Sequence, residues 1–156
     1  MNKKGFTLIE LLIVVAIIGI IAAIAIPNLL VALQKGKQKA TMGDLKTIGG
    51  AVEAYITDWS IAPQDAAFLA GSGAAWFEPF YIKIVPKRDG WGLAFEYLFA
   101  GDLYTVWSNG RGGVADTGSL EFAGGDPLYM CTNITDFNND VAYSNGFFTV
   151  GPQVKR

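Results

Sequence analysis

The chain has 156 residues with 12 basic and 14 acidic side chains, so its formal net charge is -2 and its length fits one ordinary domain. It contains no histidine and a single cysteine, which excludes the commonest general base, the commonest zinc ligand and an internal disulfide. Its mean hydropathy of +0.32 is high for a soluble globular protein. A hydrolase tethered to the membrane would need a nucleophile activated by a base, and no histidine is present to act as that base, so we expect that the chain is not an enzyme. We expect Cys131 to be a small buried residue.

Most of the apolar excess lies near the amino end. Residues 6–33 are almost wholly Leu, Ile, Val and Ala, and as a helix they would be about 42 Å long, enough to cross a hydrocarbon core of about 30 Å. Because Lys3 and Lys4 precede this run, the positive-inside rule predicts a single pass with the amino terminus in the cytoplasm. Three lysines follow the apolar run: Lys35, Lys37 and Lys39. They would lie at the membrane surface, in a hydrated groove between subunits, or on an ordinary solvent-exposed face of the helix.

Glu10 lies inside the apolar run. A carboxylate there costs about 2.5–3.5 kcal/mol on insertion scales, so it should have a partner. The alternative, a secretory signal peptide cut near Ala23-Ile24-Ala25, would leave Glu10 without a role.

The segment Lys4-Gly5-Phe6-Thr7-Leu8-Ile9-Glu10, with the apolar run that follows it to Pro27, resembles the amino terminus of the type IV pilin superfamily. The resemblance implies that a membrane-embedded prepilin peptidase cuts between Gly5 and Phe6 and methylates the new amino group of Phe6. Glycine suits such a site because a backbone without a side chain can enter a tight cleft.

The resemblance also implies a role for Glu10 in assembly. Its carboxylate would meet the amino group of Phe6 on the neighbouring subunit of a helical filament, where a low dielectric strengthens the pair. Pro27 lacks an N–H and leaves the carbonyl of Ala23 without its helical partner, so we expect either a kink or, as in filaments of the family, an unwound stretch before the proline.

A second helical pattern continues the first. Apolar residues recur at intervals of three and four as far as Trp59, which predicts a helix to about Asp58, and the segment Ser60-Ile61-Ala62-Pro63 ends it. The stripe comprises Met42, Leu45, Ile48, Val52, Tyr55, Ile56 and Trp59. In the connection that follows we expect a short helix, Gln64 to Ala70, a Gly71-Ser72-Gly73 turn, and a strand or extended loop over Tyr81 to Val85.

Four strands are predicted from β-branched and aromatic residues: Leu93 to Phe99, Leu103 to Trp107, Val141 to Ser144 and Phe147 to Val150. Asn145-Gly146 between the last two is a strong hairpin signal. The sequence therefore predicts an α+β, type IV pilin-like fold, in which a long helix, membrane-spanning in its first half and amphipathic in its second, packs on a small antiparallel sheet. The expected divisions are a leader (1–5), a membrane or filament-core helix (6–33), its amphipathic half (34–59), a connection (60–92) and a β-sheet head with a hairpin (93–156).

Two stretches of the head, Asp89 to Tyr97 and Leu103 to Gly110, resemble the major pseudopilin of type II secretion. The chain departs from that family at Gly90, where proline usually stands. A lone cysteine cannot close the disulfide loop of most major type IV pilins, which favours a pseudopilin that polymerises into a periplasmic pseudopilus and drives protein export. The alternative is a major or minor subunit of a surface pilus that serves adhesion, motility or extracellular electron transfer.

The resemblance implies partners as well: other copies of the chain, minor pseudopilins or pilins, the prepilin peptidase, and an inner-membrane platform with its assembly ATPase. We expect the chain in the bacterial inner membrane with its head in the periplasm, or at the cell surface if it is a pilus subunit. No nucleic acid is expected.

Calcium is the one cofactor that the family implies, in the loop after the second strand. In the matching stretch, Arg111 to Thr117, Asp116 is the only plausible ligand. Further on, Asp136, Asn138 and Asp140 form a D-x-N-x-D pattern that hard cations favour, although Asx residues also form plain turns.

Overall fold

The computed structural model describes residues 5–66, 69, 76–114 and 137–151. Helix α1 runs over Leu8–Trp59, 52 residues, within two residues of the predicted bounds at each end. The chain divides into two compact units, Met1–Gln34 and Lys35–Arg156, and α1 passes from the first into the second.

The first unit exposes its apolar side chains: Leu8 is 89 %, Leu12 66 % and Ile24 65 % exposed. By length and composition this part of α1 can cross a membrane. The helix is uninterrupted at Pro27, where the side-chain amide of Asn28 donates to the carbonyl of Ile24 at 3.2 Å. The unwinding considered for this stretch is therefore not a feature of the single chain.

In the second unit one face of α1 forms the core with the sheet. Leu45, Ile48 and Val52 are fully buried and belong to one cluster with Tyr104 and Val106. Three stripe residues are partly buried against this cluster: Met42, Tyr55 and Ile56. The last stripe residue departs from the prediction, because Trp59 is 65 % exposed and lies at the end of the helix.

The sheet is an antiparallel meander in the order β1-β2-β3-β4, formed by Glu96–Ala100, Leu103–Ser108, Val141–Ser144 and Phe147–Val150. Its register pairs Phe99 with Tyr104, Ser108 with Val141 and Tyr143 with Phe148. In the β3–β4 turn Asn145 and Gly146 have φ of 47° and 94°, the left-handed geometry of the predicted hairpin. The α+β fold expected from the sequence is confirmed.

The connection between α1 and the sheet is less regular than predicted. Gln64 and Ala66 lie in a bend and a turn, where we expected the start of a short helix, and the Gly71-Ser72-Gly73 turn lies outside the described residues. Tyr81–Val85 forms a loop. This region still contributes to the core, since Phe77 and Val85 are almost completely buried.

Candidate assembly and processing site

The predicted processing site precedes the first turn of α1. Gly5 and Phe6 belong to no helix or strand, and Phe6 is 84 % exposed. A Cβ built on Gly5 would meet nothing within 4 Å. The Gly5–Phe6 peptide bond is therefore accessible within the chain, as a site for proteolysis requires.

Glu10 forms a capping box with Thr7. The hydroxyl and the backbone N–H of Thr7 both donate to Oε2 of Glu10, at 2.6 and 2.9 Å, and the backbone N–H of Glu10 donates to Oγ1 of Thr7 at 3.3 Å. Sequence reasoning missed this arrangement, although the T-x-x-E spacing at a helix start is its known signal. The carboxylate that seemed to lack a partner thus has one within its own chain.

The capping box satisfies hydrogen bonds but does not neutralise charge. Both donors to Glu10 come from Thr7 and are neutral. In a low dielectric an ionised carboxylate gains much more from a cation than from neutral donors. The carboxylate of Glu10 would therefore still gain electrostatic energy by pairing with an amino group. Pro27 lies 17 residues further along α1, about 26 Å away, so the structure does not bring the two candidate assembly residues together.

Two of the four candidate metal ligands can be placed. Asn138 is exposed and Asp140 is 2 % exposed, whereas Asp116 and Asp136 lie outside the described residues. The backbone N–H of Arg111 donates to the carbonyl of Phe137 at 2.8 Å, so the loop after β2 lies directly against the segment before β3.

The fit of this region to calcium is incomplete in the described part of the chain. Asn138 and Asp140 offer side-chain oxygens of the kind that calcium prefers. Yet no three His, Cys, Asp or Glu side chains gather into a metal-binding group among the residues that the structure describes. A calcium site here would need the oxygens of Asp116 and Asp136 as well.

The segment 89–93, here called the Asp89 turn, ties the start of the sheet together. Asp89 is 6 % exposed. Its Oδ1 accepts hydrogen bonds from the N–H groups of Trp91 and Leu93 at 2.9 and 2.8 Å, and its Oδ2 accepts one from the hydroxyl of Ser108 at 2.6 Å. The backbone N–H of Asp89 also donates to the carbonyl of Leu93 at 2.8 Å. Because these bonds fold Leu93 back onto Asp89, β1 begins at Glu96 and not at Leu93 as predicted.

Gly90 attaches the Asp89 turn to α1. Its N–H donates to Oγ1 of Thr41 at 2.9 Å, and a Cβ at this position would clash with the backbone carbonyl of Lys37. Proline has neither the N–H nor the room that this contact requires. Gly90, where the family resemblance leads us to expect proline, thus has a local structural reason to be glycine.

Profiles of two protein families match the chain. The prokaryotic N-terminal methylation motif matches residues 1–26, which include Gly5, Phe6 and Glu10. The type II secretion system protein G family matches residues 28–121, which include the second half of α1, the Asp89 turn and β2.

Individual relatives agree with the second profile. The chain is 33 % identical over 131 residues to type II secretion system core protein G of Vibrio cholerae, covering 76 % of this chain and 89 % of that protein. It is 32 % identical over 129 residues to the protein of the same name from Pseudomonas aeruginosa, covering 74 % and 90 %. No solved structure matches the chain significantly. The chain therefore belongs to the protein G family of type II secretion systems, the major pseudopilins, as its head motifs predicted, rather than to the surface pilins.

Proposed function

We propose that the chain is the repeating structural subunit of a pseudopilus, made as a membrane-inserted precursor and lifted into a helical rod that drives protein export. The observation that carries this proposal is the joint match of the methylation motif and the protein G family to one chain. The exposed apolar half of α1 supports it, since such a surface needs either lipid or other helices around it. This is a structural role, and we assign the chain no catalytic activity.

Processing would occur at the accessible Gly5–Phe6 bond. A prepilin peptidase would remove residues 1–5, and with them Lys3 and Lys4, and would methylate the amino group of Phe6. Cleavage would also create a cation, the amino group of Phe6, four residues before Glu10.

Docking of a new subunit would then pair Glu10 with the amino group of Phe6 on its neighbour. The Thr7 hydrogen bonds use one carboxylate oxygen, Oε2, and hold the side chain at the first turn of α1. Neutralising a charge inside a lipid-like environment supplies a reason for subunits to add in one register.

A comparison of Glu10→Gln with Glu10→Leu separates docking from capping. Glutamine keeps the hydrogen-bonding capacity of a capping box but carries no charge, whereas leucine loses both. We expect both variants to be cleaved normally by the peptidase. We expect little or no polymer from either, measured as filaments sheared from cells and as cross-linked multimers. Thr7→Ala is the matched control, because it removes the box, keeps the charge and should still assemble. Polymer from Glu10→Gln at the native yield would refute the docking role.

The same proposal implies an orientation in the membrane and a set of assembly proteins. The amino end would face the cytoplasm, α1 would cross the inner membrane once, and the second unit would lie in the periplasm. A platform protein and its ATPase would lift subunits in turn, and minor pseudopilins would join the rod. Fusion of alkaline phosphatase after Gly151 should give an active enzyme, since this phosphatase folds only outside the cytoplasm, and an inactive fusion would contradict the topology.

During assembly the helix would loosen before Pro27, where one backbone hydrogen bond is already missing.

Calcium would fasten the segment before β3 to the loop after β2. Asn138 and Asp140, with Asp116 and Asp136, would supply the oxygen ligands, and the contact of Arg111 with Phe137 supports the closeness of the two segments. Thermal melts of the full chain in detergent, with calcium and with a chelator, test this. If the chelator leaves the melting temperature unchanged, the proposal that calcium binds here is refuted.

A further inference from the structure

An open groove surrounded by aromatic side chains lies at the carboxyl end of α1. This aromatic groove, of about 550 Å³, is lined by Tyr55, Asp58, Trp59, Trp76, Phe80 and Tyr81. The ring of Tyr55 packs edge-on against those of Trp76 and Tyr81, with centroids 5.3 Å apart in each pair. Phe80 is nevertheless 81 % exposed and Trp59 65 % exposed, so core packing accounts for neither.

The described lining of the groove contains one carboxylate, that of Asp58, and no basic side chain. The last turn of α1 contains no basic residue but contains Asp58, at the helix end where the dipole already favours cations over anions. The indole N–H of Trp59 donates to the hydroxyl of Tyr81 at 3.0 Å, and this hydroxyl donates to Oδ2 of Asp58 at 3.0 Å. These bonds hold the carboxylate beside aromatic faces, and such faces attract cations as well. The chemistry of the groove therefore suits a basic ligand with apolar parts.

We propose that the aromatic groove binds the basic segment 152–156 of a second copy of this chain. The segment contains Pro152, Lys155 and Arg156 and no acidic residue. Proline docks on aromatic-lined grooves with little loss of conformational entropy, and a lysine or arginine can lie over an aromatic ring within reach of Asp58. The inference rests on the proposed function in one respect only, which is that copies of the chain become neighbours.

The direction of β4 indicates why the ligand comes from another copy. The β3–β4 turn lies near α1, where a Cβ on Gly146 would be 3.4 Å from Oε1 of Glu53. From that turn β4 runs back along the sheet to Val150, and a Cβ on Gly151 would lie 3.7 Å from Val141 at the opposite end of β3. The segment 152–156 therefore starts from the end of the sheet that is remote from the groove.

The Asp89 turn joins this remote end of the sheet to α1. Val141 pairs with Ser108, Ser108 binds Asp89, and the turn contacts α1 at Thr41. Along the helix, Tyr55 and Trp59 lie about 21–27 Å beyond Thr41. Five extended residues span at most about 18 Å, which is less than this distance along α1 and favours the groove of a second copy over that of the same chain.

A contact of this kind is heterologous, because the groove of one copy receives a different surface of the next. Repeated without closure, heterologous contacts generate an open helical filament. The groove and Gly151, after which the segment begins, lie toward opposite ends of the described part of the second unit, which is the arrangement that axial stacking of such units requires.

A peptide titration tests the binding directly. The host is the full-length chain in detergent with residues 152–156 deleted, and the probe is a labelled peptide with the sequence of residues 150–156, followed by fluorescence anisotropy. We expect saturable, salt-sensitive binding that weakens about three- to fivefold in Asp58→Asn and about tenfold in Trp59→Leu. Asp102→Asn, which removes an exposed carboxylate in the β1–β2 turn, is the matched control and should bind the peptide within about twofold of the host. A peptide carrying glutamate in place of Lys155 and Arg156 should not bind. Failure of the native peptide to bind, or equal binding by the Asp58 and Trp59 variants, overturns the inference.

Cross-linking in the polymer separates this inference from the proposed function. A photoreactive residue at Val154 should link to a second chain, at peptides that contain residues 55–59 or 76–81. If polymers form but the links map elsewhere, the groove contact is wrong and the pseudopilus assignment stands. If the native chain forms no polymer, the assignment fails while the peptide titration still decides the groove.

Discussion

Replacement of Gly90 by proline, the residue that the resemblance of the head to major pseudopilins leads us to expect there, should destabilise this protein. Proline removes the N–H that donates to Thr41, which costs about 1 kcal/mol net. Its ring also carries a Cβ that would clash with the carbonyl of Lys37, and overpacking of this kind costs about 1–3 kcal/mol. Together we expect a loss of about 2–4 kcal/mol in the free energy of unfolding.

Two further variants divide this loss into its parts. Gly90→Ala keeps the N–H and adds the Cβ, so it should show the steric part alone. Thr41→Ala removes the acceptor and leaves Gly90 unchanged, so it should show the hydrogen-bond part together with the loss of the bond from the Thr41 hydroxyl to the carbonyl of Lys37. If the hydrogen bond couples the two positions, the double variant Thr41→Ala with Gly90→Pro should lose less stability than the sum of the single variants.

Thermal melts of the full chain in detergent, followed by tryptophan fluorescence, measure these effects. At about 2–4 °C per kcal/mol for a chain of this size, Gly90→Pro should lower the melting temperature by about 4–16 °C. Thr41→Ser, which keeps the hydroxyl, is the control for the acceptor and should change the melting temperature much less than Thr41→Ala. An unchanged melting temperature for Gly90→Pro would show that the Asp89 turn is not fastened to α1 through Gly90, and the explanation of the family difference would then be wrong.

Tyr104→Phe should lower the free energy of unfolding by about 1–3 kcal/mol, measured by the same melts, because the single hydroxyl proton of Tyr104 is shared between the carboxylate of Glu53, 2.7 Å away, and the carbonyl of Gly49, 3.1 Å away; an unchanged melt would show that this shared bond adds nothing to the core. Gly43→Ala should raise the melting temperature by about 2–4 °C, because glycine in an exposed helix costs about 1 kcal/mol relative to alanine and a Cβ there meets nothing within 4 Å; a lower temperature would contradict that open environment. Burial, with a smaller contribution from the negative charge of Asp89, raises the pKa of Asp44 above 3.8, so the folded state holds the proton more tightly and loses stability as the pH rises above that value. Asp44→Asn should therefore raise the melting temperature slightly at pH 7 and leave it unchanged near pH 3, and an equal shift at both pH values would refute the titration of Asp44 as its cause.

Elements with a strong local pattern were predictable. The apolar stripe of α1 and the turn at Asn145 and Gly146 express periodicity and backbone chemistry that a sequence displays directly, and the structure confirms both. Trp59 was misassigned because periodicity continues to the last turn of a helix even where the core has ended.

Contacts between distant parts of the chain were not predictable in the same way. The hydrogen bond from Gly90 to Thr41 joins residues 49 positions apart, and no spacing rule reports it. At the candidate assembly site the family resemblance pointed to Glu10, but its capping partner Thr7 was overlooked because the carboxylate was considered only as a membrane charge. Of the four residues considered for calcium, only Asn138 and Asp140 lie in the described part of the chain.

The contact between Arg111 and Phe137 brings the chain back to nearly the point where it left the sheet. Beside it Gly110, with φ of 58°, packs against the backbone of Asn138 and Asn139. Insertions or deletions between residues 115 and 136 can therefore accumulate without shifting the pairing of β2 with β3, since lengthening a segment between two points that are already held together adds little closure entropy. Evolution can thus vary residues 115–136 while the pairing of β2 with β3 stays constant.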